Sequence, residues 1–364
     1  MRLVILVAHR IPFLHYAETI LPRGFSRIGV STWVITSDLV APSARKFIGR
    51  KRFFGPDEEG LSVIRLPSMS LGNLALPEPT RVTRTISLIN PDAILAVAPT
   101  KGLPFYPFIF GNSDAGLFAQ IGEHMPASGL KRAIKRWAYD RIIRRARAVF
   151  VSKDESAGFL TKLLGREVRV HRVFLSFDED VFYYDPAERE KTRAELGING
   201  PLVISAARVT AYKGYEALVE ASANLGVTLL LVGILEGDDY CAGLVETAKK
   251  KLGKRFISMP FLPQEELRPL FNAADLGVWT WTSVAIKQAL GTGLPVVMWK
   301  PRHLIEEGVQ GYFIEEASPA EIGQAMEKAL SHEWDRGFLA ELGRQKYSSV
   351  AVAKRMREFM ESLL

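Results

Sequence analysis

Short runs of apolar, often β-branched residues recur along the chain and alternate with segments whose apolar positions return every three or four residues. The runs at 3–8 (LVILVA), 31–37 (STWVITS), 61–66 (LSVIRL), 93–98 (AILAVA) and 148–152 (AVFVS) have the length and continuity of strands buried on both faces. The pattern restarts at 201–207 (PLVISAA) and continues at 227–233 (VTLLLVG), 255–261 (RFISMPF), 276–280 (LGVWT) and 295–299 (PVVMW). Helical periodicity fills the intervals, most clearly at 213–225, 241–252, 264–272, 283–291 and 319–331. This alternation predicts doubly wound α/β sheets. Its restart predicts two Rossmann-like domains, with a linker near residues 178–188. Ligands of such sheets bind beyond the carboxyl ends of the strands, so a cleft between two of them is the expected site.

Composition narrows the class. A chain of 364 residues suits two domains, and 48% apolar with 24% charged residues excludes low-complexity and collagen-like chains. The single cysteine, Cys241, cannot form an internal disulfide, which excludes a disulfide-stapled secreted domain and makes a reducing cytoplasm the expected compartment. No apolar run approaches the ~20 residues that span a bilayer. The opening segment MRLVILVAHR is too short an apolar stretch for a secretory signal.

Charge is unevenly placed. The net charge is +7, but residues 1–185 hold 26 Lys and Arg against 17 Asp and Glu, whereas 186–364 hold 21 against 23. A basic half beside a near-neutral one implies a surface that meets something anionic. Two stretches stand out. In 45–54, Arg45, Lys46, Arg50, Lys51 and Arg52 are interleaved with Phe47, Ile48, Phe53 and Phe54. In 131–147, Lys131, Arg132, Lys135, Arg136, Arg141, Arg144, Arg145 and Arg147 meet only Asp140. Leu130, Ile134, Ala138, Ile142 and Ala146 recur every four residues there, beside Trp137, which predicts an amphipathic helix. Its basic side is either a solvated face or a peripheral contact with anionic lipid. Nucleic acid is not the expected partner, because no zinc-finger spacing, RNP-type aromatic run or helix-turn-helix accompanies the charge.

Familiar phosphate motifs are missing. The loop after the first strand, AHRIPFLHYAE, has no glycine, and VGILEG has too few for G-x-G-x-x-G; no P-loop exists either. The six histidines show no metal-ligand spacing. The strings Asp178-Glu179-Asp180 and Asp238-Asp239 could in principle hold a metal on a sugar nucleotide, but aspartate in such places more often serves turns. No metal and no cofactor are expected. More telling is RVTAYKGYEALVEA, which sets Arg208 and Lys213 in a loop at a strand's carboxyl end, as a cradle for a diphosphate would require. In AADLGVWTWTSVAIKQALGTGLPVVMWK, Thr282 or Ser283 is the expected cap of the helix that follows, a second anion-binding element of the same site.

These segments, taken in order, resemble a known family. SAARVTAYKGYEALVEA, LLLVG, FLPQEELRPLFNAADLGVW, KQALGTGLPVV, LIEEGVQGYFIEEASPAEIGQAMEKAL and YSSVAVAKRMREFMESLL are similar to the retaining, nucleotide-sugar-dependent glycosyltransferases of family 4, which have the two-domain GT-B fold. The resemblance covers most of residues 202–364. GFSRIGVSTWVIT, INPDAILA, GEHM, RRARAVFVSKDESAGFL and FDEDVFYYDP in the first half match more loosely. It implies an acceptor-side domain over 1–178, to which a helix at 348–364 returns, and a donor-binding domain over 179–347. It further implies that Arg208 and Lys213 contact the donor diphosphate and that His124 faces the donor sugar.

The sequence also departs from the family. The family's two glutamates separated by seven residues fall on Thr280 and Gln288. Gln288 can still grip ribose hydroxyls, since an amide both donates and accepts; Thr280 is a shorter, neutral substitute where the transferred sugar is held. The glycine pair after the first strand is missing, as is the asparagine-glycine where LSF (175–177) stands. The expected function is therefore transfer of a sugar, of hexosyl type, from a nucleotide-diphosphate sugar to an anionic or lipid-linked acceptor. The alternatives are a degenerate GT-B protein that binds without catalysis, and an epimerase-like or hydrolytic enzyme on the same fold.

Overall fold

The computed structural model describes every residue except 13–16, 43–44, 46–48, 56–59, 112–113, 123–127, 153 and 300–301. The chain divides into two compact units, Met1–Ser176 with Ser349–Leu364, and Phe177–Ser348.

The first unit is a seven-stranded parallel sheet. Its strands are β1 (Arg2–Leu6), β2 (Ser31–Ser37), β3 (Ser62–Leu66), β6 (Ala93–Val97), β7 (Gly116–Ile121), β8 (Ala148–Val151) and β9 (His171–Arg172), in the order β3-β2-β1-β6-β7-β8-β9. A separate antiparallel hairpin joins β4 (Ser68–Leu71) to β5 (Leu74–Pro77). The helices are α1 (Ala17–Arg27), α2 (Pro79–Ile89), α3 (Tyr106–Phe110), α4 (Gly129–Arg145), α5 (Asp154–Leu164) and, from the far end of the chain, α13 (Ser349–Glu361). Alternate residues of each strand face opposite sides of the sheet, so both sides need a cover. Leu3 and Ile5 pack with Leu21 and Phe25 of α1 and with Val352 and Met356 of α13. Val4 and Leu6 pack on the opposite side with Val82 and Ile86 of α2.

The second unit is a six-stranded parallel sheet of order β12-β11-β10-β13-β14-β15. Its strands are β10 (Leu202–Ala206), β11 (Thr228–Ile234), β12 (Phe256–Pro260), β13 (Leu276–Trp279), β14 (Val296–Met298) and β15 (Gly311–Phe313). Its helices are α6 (Pro186–Glu195), α7 (Tyr215–Leu225), α8 (Asp239–Leu252), α9 (Gln264–Ala273), α10 (Ala285–Gly291), α11 (Pro319–Ser331) and α12 (Arg336–Tyr347). Val203, Leu229 and Leu231 form one core with Leu218, Leu244 and Met326. Arg336, partly buried and with its guanidinium pulled down to about 10 chiefly by desolvation, donates to the carbonyls of Phe271, Asn272, Ala274, Thr292 and Gly293. One cation thus satisfies carbonyls at the end of α9 and in the glycine turn after α10.

Two sequence expectations need correction. The segment expected to be a linker is built into the second unit: Asp185 caps α6, taking the amides of Ala187 and Glu188, and Arg268 of α9 grips Glu188 at 2.7 and 2.9 Å. The basic helix α4 does not bury its four-residue stripe throughout. Ala138, Tyr139 and Ile142 are buried, whereas Leu130 is 77%, Ile134 56% and Trp137 57% exposed. Only its second half docks, where Arg141 and Arg145 donate to carbonyls of Phe108 and Gly111 at the end of α3.

Candidate functional site

In the second unit, β10 lies between β11 on one side and β13 on the other. Successive connections therefore run in opposite directions from this point, opening a crevice at the carboxyl ends of β10 and β13. The loops that line it are 207–214, after β10, and 280–284, after β13. They carry Arg208, Lys213, Thr280, Thr282 and Ser283, so strand order unites residues that the sequence separates.

The first loop is shaped from below by Gly233. Its φ of +108° is foreign to side-chain-bearing residues, and a Cβ there would lie 2.2 Å from the Ala207 carbonyl oxygen and 3.2 Å from the Arg208 nitrogen. That close approach lets the Val209 amide reach the Gly233 carbonyl at 3.0 Å, fixing the backbone on either side of Arg208. Arg208 is exposed. Lys213 is partly buried, and its Nζ donates to the Arg208 carbonyl at 2.7 Å. Burial pushes the Lys213 ammonium down to about 8, with the nearby Arg208 charge adding to the shift. Removed from water beside another cation, it is a group that an arriving anion would stabilise strongly. Gly214, at φ +67°, then turns the chain into α7.

The second loop is tied to the first. The buried Thr280 hydroxyl donates to the Lys213 carbonyl, and the buried Trp279 Nε1 donates to the Ala206 carbonyl at 3.0 Å. Thr280 thus acts through the backbone of Lys213. Helix α10 begins at Ala285 with Val284 in the cap position, later than expected; the Ser283 hydroxyl accepts the Ala285 amide at 3.3 Å, and Thr282 is exposed. All seven residues of α10 are buried, Gln288 among them.

Three aromatic residues at this end of the sheet have no motif to announce them. Tyr212, Trp281 and Trp299 follow β10, β13 and β14, which are consecutive in the sheet, and their rings meet in that order. Their shared sequence signal is their position just after strands. His124, expected at the donor sugar, lies outside the described residues.

The aspartate strings have local roles. An Asp178 carboxylate oxygen accepts the Asp180 amide at 3.2 Å, and Asp238 caps α8 by accepting the Cys241 amide at 3.0 Å. Among the described residues no three His, Cys, Asp or Glu side chains are grouped to hold a metal. In the other basic stretch, Arg52 pairs with the buried Asp38 and Phe53 lies under the Arg65 guanidinium at 4.7 Å, while Arg50, Lys51 and Phe54 remain exposed. Residues 46–48 of that stretch lie outside the described residues.

Solved structures resemble the whole chain. Anabaena HepE, solved in complex with UDP-glucose, matches with a TM-score of 0.70 and 19% identity over 100% of both chains. Sucrose-phosphate synthase from Thermosynechococcus elongatus matches at 0.72 with 16% identity, over 100% of this chain and 99% of that one. A glycosyltransferase from Rickettsia africae matches at 0.73 with 14% identity, over 100% of this chain and 98% of that one. Two parallel-sheet α/β units with such neighbours define the GT-B fold. Within it, residues 200–332, all of them in the second unit, match the family model for group 1 glycosyl transferases. No curated protein sequence gives a significant match.

Proposed function

We propose that the protein transfers a glycosyl group from a nucleotide-diphosphate sugar to an acceptor, with retention of configuration and without a metal. The observation that carries this reading is the pairing of Arg208 and Lys213 at the switch point of the unit that matches group 1 glycosyl transferases. That HepE, similar over its whole length, was solved with UDP-glucose supports the donor class. In this mechanism the bond between the anomeric carbon and the diphosphate oxygen breaks, leaving negative charge on the phosphate. Arg208 and Lys213 meet that charge with fixed cations. The leaving phosphate oxygen takes the proton of the acceptor hydroxyl as it attacks the same face of the sugar. Gln288 contacts the ribose, and Thr282 and Ser283 complete the donor loop.

The test is donor turnover by Arg208→Ala and Lys213→Ala. Each variant is expected to lose about 10²- to 10³-fold in transfer rate. Donor hydrolysis and transfer that survive both changes would overturn the assignment. A second reading, binding without catalysis, is favoured by one observation: neither Thr280 nor Gln288 supplies a carboxylate. Calorimetric donor binding with no turnover over a broad acceptor panel would establish it.

The acceptor belongs, in this proposal, to the first unit, with the protein working in the cytoplasm at a membrane surface. Leu130, Ile134 and Trp137 stand exposed among the exposed Lys131, Arg132 and Arg136, a combination suited to anionic headgroups. Among the described residues no helix is long and apolar enough to cross a membrane. Flotation with anionic vesicles at low salt tests the contact, and absence of binding there removes it.

A further inference from the structure

We infer that Tyr212, Trp281 and Trp299 form a stacking platform for the glycosyl ring of the donor, an inference that rests on the glycosyltransferase reading above. Trp299 is the fixed backing. Its Nε1 donates to the Glu315 carbonyl at 2.9 Å, and its ring stacks on Trp281 at 5.0 Å and 20°. Tyr212 meets Trp281 edge-on, at 5.5 Å and 80°. The cluster is ordered without being a core: Trp281 remains 42% and Tyr212 66% exposed. Aromatic surface of this size, held rigid in water, is surface kept ready for a ligand.

Its position selects the ligand. The Lys213 Nζ lies 6.0 Å from the Tyr212 ring, so the platform continues directly from the cations assigned to the diphosphate. The group attached to a diphosphate held there is the sugar. Of the hydroxyls in the two loops, that of Thr280 donates to the Lys213 carbonyl and that of Ser283 accepts the Ala285 amide. Neither loop, 207–214 or 280–284, contains a carboxylate. The platform therefore offers its contact to C–H groups, which lie favourably against the negative face of an indole. The sugar class this fits is one with an extended C–H surface, a 6-deoxyhexose in preference to the corresponding hexose.

The experiment is equilibrium titration of the full chain with uridine, guanosine and thymidine diphosphates, their hexose conjugates and their 6-deoxyhexose conjugates. Binding is read by intrinsic tryptophan fluorescence and calorimetry. For the base that binds, Trp281→Ala is expected to weaken the nucleotide sugar about tenfold while leaving the nucleoside diphosphate within about twofold. Trp281→Phe, which keeps a ring, is expected to retain most of the sugar contribution and guards against a folding defect. The wild type is expected to bind the 6-deoxyhexose conjugate more tightly than the hexose conjugate. The platform is overturned if Trp281→Ala weakens both ligands equally or neither, or if the deoxy sugar binds no better than its parent. Should no nucleoside diphosphate bind at all, the glycosyltransferase reading itself falls. Diphosphate binding that depends on Arg208 but ignores Trp281 would leave that reading standing and remove only the platform.

Discussion

Raising the pH from 7 to 9 should weaken donor binding through Lys213 alone. Its ammonium titrates at about 8 in the free protein because it is partly buried beside Arg208. Roughly nine-tenths of the molecules then carry the charge at pH 7 and about one-tenth at pH 9. A bound diphosphate favours the ammonium and moves its titration back toward the ordinary 10.5, so binding above pH 8 must draw a proton from solution. Full coupling gives a loss of roughly tenfold in affinity between pH 7 and 9; the side chain's partial exposure to water trims this to about three- to tenfold. Calorimetry in buffers of differing ionisation enthalpy reads both the affinity and the proton uptake, which should approach one per donor near pH 9. Lys213→Arg keeps its charge throughout and should flatten the profile. An affinity that is equal at both pH values, or a pH drop that persists in the arginine variant, would refute the reasoning. Stability of the ligand-free protein should move the other way. Between pH 8 and 10.5 the unfolded chain holds the Lys213 proton more firmly than the folded one, so this residue's contribution to stability rises with pH.

Other perturbations test the scaffold beneath the site. Gly233→Ala forces a side chain into φ +108° and against the Ala207 carbonyl, which should cost about 1–3 kcal/mol by denaturant unfolding and weaken donor binding through Arg208. Trp279→Phe leaves the buried Ala206 carbonyl without its 3.0 Å donor, an expected loss of about 1–3 kcal/mol by the same assay. Asp275→Ala removes the carboxylate that receives Arg189, Arg193 and the Leu202 amide, and should lower stability by about 2–4 kcal/mol; unchanged unfolding would show these contacts to be incidental.

The strands at 31–37, 62–66, 93–97 and 148–151 were legible because each is a dense apolar run, and β10 to β14 of the second unit for the same reason, whereas the three-residue β15 was too short to show one. β7 and the β4–β5 hairpin were not. GLFAQI opens on glycine and carries a glutamine, and the hairpin pairs partly exposed residues outside the main sheets, so neither shows the continuity of a buried strand. Arg208 and Lys213 could be read as a pair because they share one loop after an obvious strand. Tyr212, Trp281 and Trp299 could not, since their meeting depends on β10, β13 and β14 being neighbours, and no local pattern encodes sheet order. The stripe on α4 misled for a related reason: periodicity states which residues share a face and is silent on where the partner surface stops.

The first unit is interrupted in sequence. Its sheet is finished by residue 172, yet α13, whose Val352 and Met356 share a core with Leu21 and Phe25 of α1, begins at Ser349. The fit is close, since a Cβ on Gly24 would lie 2.3 Å from the Ser349 carbonyl oxygen. On the ribosome this places the two units in an unusual order of completion. The strands of the first unit are made first, and the α1 side of their sheet stays without α13 until the whole of the second unit has been made. Damage near the carboxyl end of the chain would therefore be felt in the basic, acceptor-assigned unit rather than in the one beside it in sequence.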